Sequence, residues 1–389
     1  MFFSCHMPQT IVYGLGAISK VCEEVMKFLG QNILLVTDTN LSSLASVYVK
    51  EPLEQKGYKV FIYGELKREP TLFDVETGVK FFLEKKCSII VAFGGGGVID
   101  TAKAIAVKVT NPAHFREYPE AIKNPKIPLI AIPTTAGTGS EATAIMVITD
   151  EENNIKLNPK SPIIIPEVAI IDPQLMVSMP PHITAFTGID ALTHAIEAYV
   201  SRRANPVTDC LALHAIQLIG ENLRIAFADG ENLEAREAMA IASLLAGIAF
   251  SNASVCMVHA MARPLGVYFN IPHGLSNALL LPAVMEFSIM AKPDKFAAIA
   301  RAMGCIPTGR SIMEEARLSI KAVLELYNDI QIPTAKELGI NKEKLERVVE
   351  KMAEDALASG GVDLNPRKAK IAEVIKLYYQ IYDFGANYS

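Results

Sequence analysis

The feature that most constrains this chain is a change of period at the double proline Pro180–Pro181. Before it, short runs rich in β-branched residues (33–36, 60–63, 88–93, 128–132 and 168–171) read as buried strands. Helix-length amphipathic segments such as 72–85 and 99–110 lie between several of them. Strands alternating with helices imply a parallel sheet with helices packed on its faces. Beyond the prolines the segments 184–201, 206–225, 232–249, 293–303, 310–328, 342–357 and 368–382 carry the 3.6-residue period of helix. The expected fold is an α/β N-terminal domain with a parallel sheet over 1–180 and an all-helical C-terminal domain over 181–389.

Composition narrows the function. The net charge is -5 and no Lys/Arg run is longer than two, which argues against nucleic-acid and membrane-surface partners. The six cysteines are scattered without a C-x-x-C pair, as expected of reduced thiols in the cytoplasm. The N-terminus lacks the basic and apolar regions of a signal peptide. The most apolar stretch, 238–262, is interrupted by Ser243, Ser251, Asn252 and Ser254 and is expected to be a buried helix pair, since a membrane span needs about 20 predominantly apolar residues.

The chemistry starts in 188–201, GIDALTHAIEAYVS, where Asp190 and His194 stand four residues apart and project from one helical face. A carboxylate oxygen and an imidazole nitrogen suit a divalent first-row metal, and such a site needs further nitrogen ligands from elsewhere. His259 and His273 supply two candidates at compact spacing, each in an apolar or small-residue setting where an unpaired polar group is costly. His6, His114, His182 and His214 are left unassigned.

Two loops in the first half suit a phosphate. In FGGGGVIDTAK, Gly94 to Gly97 follow a strand and open a helix, so backbone N–H groups can approach a pyrophosphate at the positive end of the dipole. Asp100, which would repel phosphate, is expected to fix the loop. In PTTAGTGSE, Thr134, Thr135, Thr138 and Ser140 bring hydroxyls to a second strand end, and two such loops can converge on one crevice. Asp38 ends a strand, either as a surface turn residue or as an acceptor for ribose hydroxyls that favours NAD over NADP.

These motifs, with V-H-A-M-A-x-P-L-G, P-H-G and N-P-R (Asn365 to Arg367), occur in the order seen in the iron-containing alcohol dehydrogenase family, which the chain resembles from Tyr13 to Tyr382. The resemblance implies an N-terminal dinucleotide-binding α/β domain and a helical metal-binding domain. It implies Asp190, His194, His259 and His273 as metal ligands, and Gly95, Gly96, Gly97, Thr134, Thr135, Thr138 and Lys156 as contacts to NAD(H). Iron(II) is the expected metal, and zinc(II), cobalt(II) and manganese(II) suit the same donors. A homodimer or higher homo-oligomer is expected. Three positions depart from the family pattern: Gly97 replaces a usual Ser, Gly361 a common Cys, which should loosen the substrate pocket, and Arg263 a second histidine proposed to move protons.

The expected activity is hydride transfer between NAD(H) and a small primary alcohol or aldehyde, the metal polarising the oxygen. Arg263 stays protonated and cannot relay protons. It lies one turn beyond His259, with Pro264 expected to end the helix behind it, and is suited to an anionic tail of the sulfoacetaldehyde or succinic semialdehyde type. The alternative for Arg263 is a structural ion pair or a cofactor contact. The alternatives for the chain are a reductase of uncharged aldehydes or diols, a glycerol-dehydrogenase or dehydroquinate-synthase type of enzyme, and a catalytically silent nucleotide-binding protein.

Overall fold

The computed structural model describes residues 2–66, 70–153, 155–306, 309 and 311–382. Residue 310, with which one expected helix begins, and 383–389, at the end of the expected second domain, lie outside these. The chain divides into two compact units, 6–178 and 179 onward, the first five residues going with the second.

In the first unit, β1 (Thr10–Tyr13), β2 (Asn32–Asp38), β3 (Lys59–Leu66), β4 (Ile89–Gly94), β5 (Leu129–Pro133) and β8 (Val168–Ile171) form a wholly parallel sheet in the order β1-β8-β5-β4-β2-β3. Its helices are the short α1 (Val21–Val25), α2 (Ser42–Ala45) and α3 (Glu51–Gln55) and the longer α4 (Leu72–Glu84) and α5 (Gly96–Thr110). Alternation along each strand splits the core in two. Leu34, Val36, Ile90, Ala92, Leu129 and Ala131 face one layer with Phe82, Ile99 and Ile105. Ile33, Leu35, Ile89, Val91, Ile130 and Ile132 face the other with Val21, Val49 and Leu53. A sheet covered on both faces explains why its central strands read as unbroken apolar runs.

From β2 the chain steps outward to β3, then returns past β2 to β4, β5 and β8. The connections therefore diverge between β2 and β4, and the crevice outside their C-terminal ends is where sheets of this kind take ligands. Asp38 and Gly94 end those two strands. Two features were not legible: the edge strand β1, and an antiparallel hairpin of β6 (Ile148–Asp150) and β7 (Ile155–Leu157). β6 and β7 have only three residues each and β1 is partly exposed along its length, so none of them shows the buried apolar run that made the equally short β8 legible.

The second unit is helical: α6 (Pro181–Val200), α7 (Pro206–Ala228), α8 (Leu233–Ala253), α9 (Met257–Phe269), α10 (His273–Ser288), α11 (Pro293–Ala302), α12 (Ile312–Asp329), α13 (Lys342–Ala358), α14 (Gly361–Leu364) and α15 (Ile371–Gln380). Pro181 opens α6 at a position where the missing N–H costs nothing. Buried Arg236 of α8 secures that opening, donating to Thr184 Oγ1 at 2.7 Å and to the Met179 carbonyl at 3.0 Å. The apolar stretch around 238–262 is the helix pair α8 and α9, bent by 105° where Ser254 has φ 71°.

One expectation fails here. Pro264 does not end α9, which runs on to Phe269. A proline inside a helix forfeits one hydrogen bond and strains the preceding turn, but α9 buries Met257 to Ala262 and Leu265. It closes instead at Asn270, which is left-handed and donates its N–H to the Gly266 carbonyl. Tertiary packing outweighs the local breaker.

Candidate functional site

Asp190 and His194 project from α6, His259 stands near the start of α9, and His273 opens α10. A Cβ on Gly274 would lie 2.3 Å from the Phe186 carbonyl oxygen, so only glycine lets the first turn of α10 close on α6 and bring His273 beside Asp190. Asp190 Oδ1 lies 3.7 Å from His259 Nε2 and 3.7 Å from His273 Nε2. One donor atom from each of the three lies within 4.8 Å of the others. His194 joins by its ring, stacked on His259 at 4.4 Å and on Phe250 at 4.2 Å between centroids, with Nδ1 4.0 Å from Asp190 Oδ2. Donors held about 2.0–2.2 Å from a tetrahedral cation stand roughly 3.3–3.6 Å apart, so the carboxylate and the two imidazoles are spaced for one ion, and their oxygen and nitrogen donors suit a divalent first-row metal.

Two further residues complete the cluster and were missed in the sequence. Glu197, three residues after His194, places Oε2 2.6 Å from His259 Nδ1, while its Oε1 accepts the Val258 N–H at 2.6 Å. Asn277, one turn after His273, donates from Nδ2 to Asp190 Oδ1 at 2.7 Å and lies 3.2 and 3.3 Å from Nε2 of His259 and His273. Its Oδ1 is buried without a hydrogen-bond partner among the described residues. Their spacing from the expected ligands was the available signal, since three or four residues put side chains on one helical face.

The electrostatics follow. Burial pushes the Asp190 carboxyl up, but the surrounding His194, His273 and His259 overcome it and hold the group well below the usual carboxylate range. Burial pulls His259 down, while the neighbouring Asp190 carboxylate and the hydrogen bond with Glu197 raise it on balance. Arg263 is half-buried; burial lowers its pKa against the attraction of Glu197. Among the described residues its guanidinium makes no hydrogen bond or ion pair. Gly361 does not widen a pocket: a Cβ there would lie 2.8 Å from the Cys256 carbonyl oxygen and 3.1 Å from Ala260 Cβ, so the start of α9 fills that space.

In the first unit, β4 and β5 are neighbours with Gly94 opposite Pro133, so their following loops emerge together. A Cβ on Gly96 would lie 2.6 Å from Thr138 Cγ2, and one on Gly95 would lie 3.5 Å from Thr135 Oγ1. Gly95 caps α5 without a side-chain bond, and Gly97 lies in the first turn, so backbone N–H groups there are available to an anion. Gly95, Gly96, Gly97, Thr135 and Thr138 are partly exposed, and Thr134 is buried. Asp100 has the loop-fixing role expected of it, accepting from Ser140 Oγ at 2.5 Å and the Val147 N–H at 2.9 Å. Lys103, fully buried beneath, donates to Ser140 Oγ, Thr143 Oγ1 and the Ile145 carbonyl at 2.8–2.9 Å. Asp38 turns one oxygen onto its own loop, accepting the Asn40 and Leu41 N–H groups at 2.8 and 3.0 Å. Lys156 lies on β7 opposite Thr149.

Known proteins are similar to this chain over nearly its whole length. Residues 8–173 match the family model of iron-containing alcohol dehydrogenase, and residues 184–382 that of the Fe-containing alcohol dehydrogenase family, C-terminal. The chain is 42% identical to 1,3-propanediol dehydrogenase of Klebsiella pneumoniae, over 98% of this chain and 99% of that protein. It superposes on a crystal structure of 1,3-propanediol oxidoreductase with a TM-score of 0.95 at 42% identity, covering 98% of this chain and 100% of that one. Against the sulfoacetaldehyde reductase of Bifidobacterium kashiwanohense, solved in complex with NAD+, the TM-score is 0.86 at 28% identity, covering 98% and 99%. The chain therefore belongs to the iron-containing alcohol dehydrogenase family and is an NAD-dependent oxidoreductase acting on CH–OH groups.

Proposed function

We propose that the enzyme interconverts a small primary alcohol and its aldehyde, with Asp190, His194, His259 and His273 holding one divalent cation. Iron(II) is the metal the family implies, and zinc(II) or manganese(II) suit the same donors. The observation that carries this reading is the convergence of one carboxylate oxygen and two imidazole nitrogens at 3.7 Å. Gly95, Gly96, Gly97, Thr134, Thr135 and Thr138 receive the pyrophosphate of NAD(H), Asp38 accepts from a ribose, and Lys156 makes a further cofactor contact. When bound, the metal supplies a Lewis acid for the substrate oxygen and the nicotinamide a hydride donor or acceptor for the adjoining carbon. The chain's own residues prepare for that chemistry. His194, His259 and Asp190 are buried, which excludes water, and the carboxylate of Asp190 is kept ionised by the imidazoles. The test is to strip the metal: aldehyde-dependent NADH oxidation is expected to vanish and to return with iron(II) or zinc(II). Full turnover by protein proven free of metal would overturn the reading.

For the substrate's tail we propose an anion, a sulfonate or carboxylate, met by Arg263. A half-buried guanidinium without a hydrogen-bonded partner is costly, and a bidentate oxyanion answers all that Arg263 lacks. The second reading is an uncharged diol or aldehyde, supported by the 42%-identical 1,3-propanediol dehydrogenase and by the Glu197 charge that already faces Arg263. Comparing kcat/KM for sulfoacetaldehyde, succinic semialdehyde and propanal separates them. An anion site predicts a preference for the charged aldehydes of about tenfold or more, consistent with the roughly 1.4 kcal/mol that tenfold represents, and its loss in Arg263→His. Equal efficiency on all three sinks the anionic reading.

A further inference from the structure

We propose that Glu197 and Asn277 are positioning residues of the metal centre, Glu197 fixing the tautomer and rotation of His259 and Asn277 fixing the carboxylate of Asp190. The inference rests on the metal reading above and deepens it.

A neutral imidazole has one N–H and one lone pair, so whichever nitrogen donates a hydrogen bond decides which is left for a cation. Glu197 Oε2, 2.6 Å from His259 Nδ1, keeps the proton on that nitrogen. Nε2 is thereby left facing Asp190 Oδ1, 3.7 Å away. The other oxygen of the same carboxylate accepts the Val258 N–H at 2.6 Å, in the first turn of α9. The N-cap residue of that helix, Cys256, makes no side-chain cap bond, so α6 supplies the cap from outside. One buried carboxylate thus secures both the helix and the ring it carries. His259 cannot turn without breaking a bond to Glu197.

Asn277 acts from the other side. It is fully buried, and its amide nitrogen lies within 2.7–3.3 Å of Asp190 Oδ1, His259 Nε2 and His273 Nε2 together. The short bond to Asp190 sets which way that carboxylate points. A residue retained only to fill space between α6 and α10 would be apolar, since burying an amide with an unmatched oxygen costs free energy. Both residues stand one helical turn from an expected ligand, Glu197 after His194 and Asn277 after His273.

The experiment titrates metal-free wild type, Glu197→Gln, Asn277→Ala and Asp190→Ala with zinc(II) against a chromophoric chelator, records the absorption bands of the cobalt(II) forms, and measures the melting temperature of each metal-free protein. Glutamine is informative because both partners of the Glu197 carboxylate are donors, while an amide has a single oxygen. It must lose the α9 cap or push the His259 proton onto Nε2. Glu197→Gln and Asn277→Ala are each expected to weaken zinc binding by about 10–100-fold, the usual contribution of groups that orient ligands, and to shift the cobalt bands. A purely structural role would lower only the melting temperature. Zinc binding within about threefold of wild type in both variants, well short of that range, overturns the proposal. If Glu197→Gln fails to fold, Asn277→Ala decides by the same thresholds. Asp190→Ala separates the two failures: if it too keeps full affinity, the metal reading itself is wrong, whereas if it alone abolishes binding, only the positioning roles fall.

Discussion

The two regions proposed to carry the function, the loops for the dinucleotide and the side-chain cluster for the metal, are built from different material. The dinucleotide loops are made of backbone, glycine N–H groups at the start of α5 with a threonine-bearing loop packed against them, and the polar side chains beneath satisfy one another locally through Asp100, Lys103, Ser140 and Thr143. The metal cluster is made of side chains from α6, α9 and α10 that meet only because those helices are packed. A backbone site fails when a Cβ intrudes. A side-chain site fails when a donor atom is changed.

The strongest way to break that contrast is Asp190→Asn, which keeps the shape and removes the charge. Metal affinity should fall by more than the roughly 10–100-fold typical of an outer-sphere change, while NADH affinity, read by fluorescence titration, stays at the wild-type value. If NADH affinity falls in step with metal affinity, the two regions are not independent and the comparison is wrong.

A smaller effect sharpens the other half. In Gly96→Ala the new Cβ meets Thr138 at 2.6–2.7 Å and the second loop must move, whereas in Gly95→Ala it makes ordinary contact with Thr135 at 3.5 Å. Gly96→Ala should therefore lower both the melting temperature and NADH affinity, the latter about tenfold or roughly 1.4 kcal/mol, with metal affinity unchanged. Gly95→Ala should leave the melting temperature alone, so any loss of NADH affinity there reports the ligand's own approach to the backbone. Equal melting temperatures for the two variants would contradict the steric account.

This difference also governs what the sequence could reveal. The loops were legible because strand, glycine run and helix are contiguous, and so were β2, β4, β5 and β8, whose burial on both faces leaves unbroken apolar runs. Asp190 and His194 were legible because four residues on a helix fix a shared face. Glu197 and Asn277 are less legible although they stand three and four residues from expected ligands, because a lone carboxylate or amide in a helix is usually a surface group, and only the approach of α9 and α10 gives these two their partners. The stretch 264–288 escaped the helical reading because Pro264 and Pro282 look like breakers, and nothing local reports the packing that tolerates them. The surroundings of Arg263 were half legible: its charge could be read, but not the nearby Glu197 carboxylate whose charge acts on it.

The two regions also differ in their response to pH. Glu141, buried beside Ser140, has its pKa pushed up from 4.5 to about 7, because burial outweighs its own backbone bond and the charge of Lys103. The folded state thus holds a proton that the unfolded chain releases, so stability declines as pH rises from about 4.5 to about 7 and is flat above. At one pKa unit per roughly 1.4 kcal/mol, a rise from 4.5 to about 7 corresponds to at most about 3.5 kcal/mol. Asp190 has the opposite sign. Its depressed pKa stabilises the fold above the ordinary carboxylate range, and that contribution is lost only in strong acid, as pH falls through the folded value. Mild acidification should therefore strengthen the loop region; in the helical cluster the raised pKa of His259 also adds stability as pH falls toward its ordinary value, a contribution that cancels when Glu141→Gln is compared with wild type. In metal-free protein, the melting temperature of Glu141→Gln relative to wild type should climb between pH 5 and pH 7 and then level off, as the sign of the Glu141 shift requires. A difference that is constant across that window would mean that Glu141 is ionised in the fold throughout, the charge of Lys103 then offsetting the cost of its burial.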